Sequence, residues 1–384
     1  MTDSVQTTPA QVPPVLAPLT AQPGAVSLLS AMLQAGRVSH AYLFVGQSGA
    51  LIHETARAFA AALTCNDGGC GVCDGCKRAL RGDHLDVVET SPQGARAYLV
   101  EQVRELVTQT QYAPLTAKRK VFIIDRADCM NQASANAFLK TLEEPPEGVV
   151  FILIASSETA VLPTVLSRCQ VVRFRSIPAA EGAGIVAQRT GVSPERAALA
   201  LAACEGSVTE GVAFATDQAA WELRAKVLGA LDNLGRMDGW QALSAAKGFG
   251  EAWLAPAEAL KEAQKTARER DKEFLDTQSL KAADARDKRA VTAATAAGFA
   301  RITHLVRSWL ADVLMAREGA PDRLANKDVA ADIVKAASMV SEGGIRQAME
   351  ACTRAERLIA YNVSPQNAVD ALMLELRSAL YPSR

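Results

Sequence analysis

Residues 41–63 read AYLFVGQSGALIHETARAFAAAL, and this stretch decides the fold. An apolar run, Ala41 to Val45, ends in a turn that contains Gly46 and Gly49, and the Ala-rich segment Thr55 to Leu63 follows it. An apolar run, a glycine turn and a helix in that order begin an α/β unit. The stretch therefore predicts a buried strand that leads through a tight turn directly into a helix.

The same alternation continues along the next hundred or so residues. Segments with helical spacing separate further short apolar runs, which lie at 85–88, 121–124, 149–154 and 171–174. Strands that are apolar on both faces and separated by helices predict a parallel sheet covered on both sides. After Pro178 only helical periodicity remains. Before residue 25, prolines stand among small polar residues, a composition that predicts a disordered extension over residues 1–24.

Length, charge and terminal sequence restrict the class of protein. A chain of 384 residues is expected to form two or three domains. Its formal net charge of -1 argues against a protein whose main task is to coat nucleic acid. No apolar window is long enough to span a bilayer. A secretory signal begins with basic residues, but no Lys or Arg precedes Arg37. We therefore expect a cytoplasmic protein with no membrane contact and with reduced cysteines.

Four of the eight cysteines form a cluster with metal-binding spacing. Cys65, Cys70, Cys73 and Cys76 follow the pattern C-x4-C-x2-C-x2-C, with glycines among them that permit tight turns. Four thiolates close a tetrahedral zinc site and leave no open position, so the predicted zinc is structural. An iron–sulfur cluster also takes four thiolates, but the spacing differs from that of the ferredoxins. Four unrelated buried thiols are the remaining alternative.

The turn after the first strand occupies the place of a phosphate-binding loop but lacks its chemistry. A working loop reads G-x-x-x-x-G-K-[ST], in which the Lys neutralises phosphate and the hydroxyl holds magnesium. Here Leu51 stands at the second Gly, Ile52 at the Lys and His53 at the hydroxyl. An ordinary strand-to-helix turn would explain the two glycines about as well. The candidate pocket remnants, for which we expect no ATP hydrolysis and no strong nucleotide binding, are Gly46, Gly49, Ile52, His53 and Asp125.

Several longer motifs occur together in one order. They are SHAYLF at 39–44, the cysteine loop, NAFLKTLEEPP at 136–146 and SRC at 167–169. Over residues 26–175 the combination resembles the bacterial clamp-loader subunits gamma/tau and delta-prime of the DNA polymerase III holoenzyme. The resemblance implies an α/β AAA+ core at 25–176 with a zinc module at 65–76. It also implies a small helical lid domain at 177–218 and an all-α collar for oligomerisation at 219–384.

Within that family, the missing Lys distinguishes the two kinds of subunit. Gamma/tau has an intact phosphate-binding loop, whereas delta-prime usually has a degenerate one. Arg126 stands where AAA+ ATPases carry a catalytic Glu, and the segment 208–210 carries no sensor Arg. The resemblance thus implies a non-catalytic, delta-prime-like subunit that works with gamma/tau and delta to load the sliding clamp onto primed DNA. The alternatives are a gamma/tau-like ATPase with a divergent loop and a zinc-dependent nucleic-acid-binding protein.

The resemblance also implies a role for Arg168, the arginine of the SRC motif. In this family that arginine reaches across a subunit interface to the nucleotide bound by the neighbouring subunit. A residue that does so is called an arginine finger. A planar, permanently charged guanidinium can place two donors on a γ-phosphate. Without the resemblance, Arg168 would be read as a surface residue at the end of a short helix. Ser156 or Ser157 lies where the family has a polar sensor residue.

Overall fold

The computed structural model describes residues 11–47, 49–92, 97–271, 277–360 and 363–382. The chain forms two compact units, Met1–Pro178 and Ala179–Arg384. The boundary falls at the residue after which the sequence shows helical periodicity alone.

The N-terminal unit is built on a five-stranded parallel sheet. Its strands are β1 Ala41–Val45, β2 Val87–Thr90, β3 Lys120–Ile124, β4 Val149–Ala155 and β5 Gln170–Arg173. They lie in the order β2-β3-β4-β1-β5, and every neighbouring pair is parallel. In the centre of the sheet Leu43 pairs with Leu153 on one side and Val171 on the other. Because all strands run the same way, the turn after β1 and the residue after β3 both lie at the carboxyl-terminal ends of the strands, on the same side of the sheet.

Helices cover both faces of this sheet. They are α1 Pro23–Gln34, α2 Ile52–Thr64, α3 Asp74–Arg81, α4 Val100–Thr110, α5 Gln132–Glu143 and α6 Pro163–Leu166. On one face Phe138 of α5 meets Phe151 of β4 edge to face, with ring centroids 5.0 Å apart. Strands β3 and β4 are buried along their full lengths and are apolar apart from Lys120 at the start of β3, as expected for a sheet covered on both sides. The predicted α/β core with a parallel sheet is confirmed, although β2 begins at Val87 rather than at Leu85.

The predicted disordered extension is wrong for the part of it that the structure describes. Residues 1–10 lie outside the described residues. Beyond them, Val15, Leu16 and Leu19 are buried, and the amide of Val15 donates a hydrogen bond to the carbonyl of Gly69 at 3.2 Å. Helix α1 begins at Pro23, a residue whose fixed φ suits a first helical position. The buried side chains of Val15, Leu16 and Leu19 anchor this proline-rich segment, although its overall composition is typical of a disordered one.

The C-terminal unit is helical throughout its described residues. Its helices are α7 Ala179–Thr190, α8 Pro194–Ala203, α9 Val208–Thr216, α10 Gln218–Asn233, α11 Gly239–Asp271, α12 Thr277–Arg317, α13 Ala330–Met339, α14 Glu342–Ala360 and α15 Pro365–Leu380. The predicted all-helical C-terminal region is therefore confirmed. The division of this unit into a lid at 177–218 and a collar at 219–384 stays a prediction.

Among the described helices, no single one is both long and apolar enough to cross a bilayer. One pair bent by 119°, α8 with α9, has the required length and composition only when the two helices are taken together.

Candidate functional site

The turn after β1 ends in a residue with left-handed backbone geometry. Leu51, at the position of the second loop glycine, has φ 57° and ψ 28°, in the left-handed region. A side chain in that region costs about 1–2 kcal/mol, which is why glycine normally occupies it. Leu51 is only 2 % exposed, so burial of its side chain offsets the strain. Ser48 lies outside the described residues.

Ile52, at the position of the phosphate-binding Lys, is packed into the protein. It is 6 % exposed, and its Cδ1 lies 3.0 Å from where a Cβ on Gly46 would stand. Phe174 approaches the same position of Gly46 at 2.9 Å. The space beside the first loop glycine is therefore filled by apolar atoms, and residue 52 offers no charge to a phosphate.

His53 and Asp125 contact each other at the sheet edge. The Nε2 of His53 lies 3.1 Å from Oδ1 of Asp125, which directly follows β3. In a working site the residue at position 53 would be a hydroxyl that shares magnesium with this carboxylate. Here the imidazole of His53 contacts Oδ1 of Asp125 directly. Arg126, where the family's ATPases carry Glu, has φ 50°.

Gln22 adds a contact that the sequence did not predict. Its side-chain amide donates hydrogen bonds to the carbonyls of Ala50 (3.0 Å) and Arg175 (2.8 Å), and its Oε1 accepts from the amide of Arg175 (3.1 Å). The side chain is 2 % exposed. One buried residue thus ties the pocket turn to the chain that leaves β5. The apolar residues Val15, Leu16 and Leu19, which lie just before Gln22, are the sequence feature that indicates a packed segment here.

Two serines follow β4, and one of them is hydrogen-bonded to the loop after β3. Ser156, which follows β4, donates from Oγ to Oδ2 of Asp128 at 2.6 Å. Ser157 instead shares a hydrogen bond of 3.1 Å with Thr159. Of the two candidates, Ser156 is therefore the one tied to the loop after β3, which begins with Asp125.

Arg168 lies between α6 and β5, with a side chain 32 % exposed. Its Nε donates to Oε1 of Glu143 at 3.0 Å, and Nη2 contacts the same oxygen. Its Nη1 donates to the carbonyl of Thr164 (2.8 Å) and to Oγ of Ser167 (3.2 Å). The structure thus places the guanidinium at the surface of the N-terminal unit and pairs it with Glu143 of the NAFLKTLEEPP string.

The four clustered cysteines converge on one point. Their ligand atoms all lie within 4.8 Å of one another, and the Sγ of Cys65 is 3.8 Å from those of Cys70 and Cys73. Zinc–sulfur bonds of about 2.3 Å separate two sulfurs of a tetrahedron by about 3.8 Å. Gly68, Gly69 and Gly71 in the connecting turns have positive φ. The four residues therefore could hold a metal ion, and their geometry suits a structural zinc.

Hydrogen bonds at the cluster favour the thiolate form of some of these cysteines. Burial acts to raise the pKa of Cys65, but backbone N–H groups, including that of Asp67, outweigh it and lower the pKa to about 6. Backbone N–H groups of Cys73 and Val72 lower the pKa of Cys70. Burial raises the pKa of Cys76. Since a metal binds thiolates, occupancy by zinc would release a proton at Cys76.

The four other cysteines are isolated from this cluster. Burial raises the pKa of Cys169, Cys204 and Cys352 to about 12 in each case. Cys129 packs against the apolar core under β3 and β4. Thiols in such surroundings behave as small apolar side chains.

Comparison with known proteins identifies the N-terminal unit. Residues 21–178 match the family described as DNA polymerase III, delta subunit. The chain is 34 % identical to the DNA polymerase III delta' subunit of Bacillus subtilis over 211 residues, 54 % of this chain and 63 % of that protein. Residues 21–178 are therefore similar to the DNA polymerase III clamp-loader family.

Other relatives carry the same family name. Over 253 residues the chain is 33 % identical to the DNA polymerase III subunit tau of Escherichia coli K12, 62 % of this chain and 39 % of that protein. It therefore spans less than two thirds of the length of either curated relative. A gamma subunit-related protein of Thermotoga maritima aligns in structure over 91 % of this chain and 99 % of its own, with 16 % identity and a TM-score of 0.43.

Proposed function

We propose that this chain is a non-catalytic, delta-prime-like subunit of the DNA polymerase III clamp loader. In this role it helps load the sliding clamp onto primed DNA within a complex that contains gamma/tau and delta. The observation that carries the proposal is Ile52, buried against Gly46 where a catalytic subunit needs an exposed Lys. The remnants Gly46, Gly49, Ile52, His53 and Asp125 then serve packing, and the bound metal is a structural zinc on the four clustered cysteines.

The contact of His53 with Asp125 supports the same proposal. Magnesium in such a pocket needs a carboxylate and a hydroxyl with oxygen lone pairs directed at the ion. The carboxylate is present, but at 3.1 Å an imidazole nitrogen faces one of its oxygens. Ile52 stands in place of the Lys that binds phosphate, and Arg126 stands in place of the Glu that activates water. The pocket therefore lacks both groups. Hydrolysis is therefore assigned to other subunits.

We further propose that Arg168 acts as an arginine finger toward the nucleotide of a neighbouring ATPase subunit. A finger must be charged at all times, lie at the surface and carry several donors on a planar group. Arg168 meets these conditions, and it is retained in a chain that has lost its own phosphate-binding Lys. A finger in trans contributes roughly 10³-fold or more to the rate of phosphoryl transfer.

The test is ATP hydrolysis and clamp loading by the complex reconstituted with Arg168→Ala. We expect a fall in the turnover of the neighbouring site of at least about tenfold, with assembly unchanged. The matched control is Arg173→Ala. Arg173 lies on β5, is 72 % exposed and donates to Glu158 through Nε and Nη2, the same two nitrogens that Arg168 directs at Glu143. Equal rates for the Arg168 variant and the wild type would refute the finger.

A gamma/tau-like ATPase with a divergent loop is the second candidate, and the match to subunit tau over 253 residues favours it. Calorimetric titration of the isolated chain with ATP and magnesium separates the two candidates. The proposed subunit shows no heat of binding. Tight binding accompanied by turnover in the isolated chain would establish the alternative.

A further inference from the structure

The guanidinium of Arg168 is directed at its own chain. Glu143 takes the Nε and Nη2 edge, while Thr164 and Ser167 take the two hydrogens of Nη1. Five N–H donors are available on a guanidinium, so these contacts leave a single donor on Nη2. Two adjacent donors are needed to hold a phosphate in a bidentate manner. In this conformation Arg168 cannot make that contact.

The carboxylate of Glu143 is held in place by the end of α5. Glu143 is the last residue of the helix, and Pro145 and Pro146 follow two positions later. Helix α5 packs against the short α6, which ends two residues before Arg168. The side chain of Glu143 is 48 % exposed and that of Arg168 is 32 % exposed. The ion pair is therefore positioned by two packed helices but remains open to solvent, where such pairs exchange readily.

We propose that Glu143 is a latch that holds Arg168 away from the neighbouring nucleotide until a γ-phosphate competes for it. This inference rests on the proposed finger role of Arg168. A phosphate bears more negative charge than a carboxylate, so it can displace Glu143 from the Nε and Nη2 edge. Rotation away from Glu143 then frees two adjacent donors on one edge. Glu143 is a regulatory residue in this scheme, and it takes no part in the chemistry.

The latch is tested by removing the charge that competes with phosphate. In the reconstituted complex, Glu143→Gln is expected to raise kcat/KM for ATP about two- to fivefold, the factor that the loss of an exposed ion pair supports. Glu143→Ala removes the acceptor as well and is expected to raise it at least as far. The matched control is Glu158→Gln, which breaks the pair with Arg173 nearby. The control is expected to leave kcat/KM and the assembly unchanged.

A double variant separates a latch from a merely structural contact. If Glu143 acts only through Arg168, then Arg168→Ala with Glu143→Gln has the same rate as Arg168→Ala alone. Unchanged or reduced rates in both Glu143 single variants overturn the latch, whether Glu143 is inert or positions Arg168. A rate change that persists without Arg168 overturns it equally. If Arg168→Ala itself has no effect, the finger fails, and the latch fails with it.

Discussion

Asp86 provides the sharpest test of how the N-terminal unit is stabilised. The residue has no exposed surface, and its carboxylate collects four hydrogen bonds from one turn. Oδ1 accepts from the amide of Leu115 at 2.6 Å. Oδ2 accepts from the amide and hydroxyl of Thr116 at 2.7 and 2.6 Å, and from the amide of Ala117 at 2.9 Å. The carboxylate therefore fixes the loop before β3 to the start of β2.

The cost of Asp86→Asn follows from these contacts. The Asn carbonyl can take the place of Oδ2, but its amide group then faces the N–H of Leu115, a donor that loses its partner. That loss costs about 1–3 kcal/mol, and three charge-assisted bonds weaken to neutral ones, each by about 1 kcal/mol. Since such terms are not fully additive, we expect a loss of about 3–5 kcal/mol. An exposed control is Asp83→Asn, because the Asp83 carboxylate lies in an exposed ion pair with Arg81 at 3.5 Å.

Hydrogen exchange measures this loss, because all four tryptophans lie in the C-terminal unit and fluorescence would not report on β2. Protection of the β2 and β3 amides is expected to fall by about 10²- to 4 × 10³-fold at pH 7. Burial acts to raise the pKa of Asp86, but the hydrogen bonds from the turn outweigh it and lower the pKa below the usual 3.8.

The folded-state pKa is below the unfolded one, so the stabilisation is present above pH 3.8 and is lost as the pH falls through the folded value. The difference between wild type and variant should therefore shrink in acid. Equal protection of β2 in both proteins at pH 7 would refute the reasoning.

Two further predictions concern the zinc cluster and the N-terminal segment. Elemental analysis is expected to find about one zinc per chain, retained in Cys129→Ser and lost in Cys73→Ser; full occupancy in the latter would exclude the assigned site. Gln22→Leu removes three buried hydrogen bonds and is expected to destabilise the N-terminal unit by about 2–4 kcal/mol, measured by hydrogen exchange. Gln34→Leu removes one exposed bond, to the carbonyl of Gln11, and should have little effect; equal losses in both variants would contradict the role of Gln22.

The features that the sequence predicts well are those written locally. Strand β4 is wholly apolar, as is β3 after Lys120, and a run that is apolar on both faces has few alternatives to a buried strand. The cysteine cluster is equally local, because four ligands within 12 residues need only tight turns to converge. Gly68, Gly69 and Gly71 supply those turns with positive φ.

The features that escaped prediction depend on residues far apart in the chain. Glu143 and Arg168 are 25 residues apart, and nothing in either neighbourhood marks them as partners. Gln22 reaches across 153 residues to Arg175. Such contacts are set by the order of the strands, which brings the ends of β1, β4 and β5 together. Periodicity predicts that the strands exist but not which side chains meet at their ends.

The residues that differ from a working phosphate pocket depend on one another. The proposed loss of catalysis is therefore hard to reverse by a single substitution. Ile52 packs over Gly46, and the buried side chain of Leu51 offsets a left-handed backbone. A Lys at position 52 would have its ammonium desolvated in this apolar contact, and His53 would still contact one oxygen of the Asp125 carboxylate. No single substitution would therefore rebuild a phosphate site. On the proposed function, the pocket turn has become a structural support, and the reactive contribution of the subunit rests on Arg168.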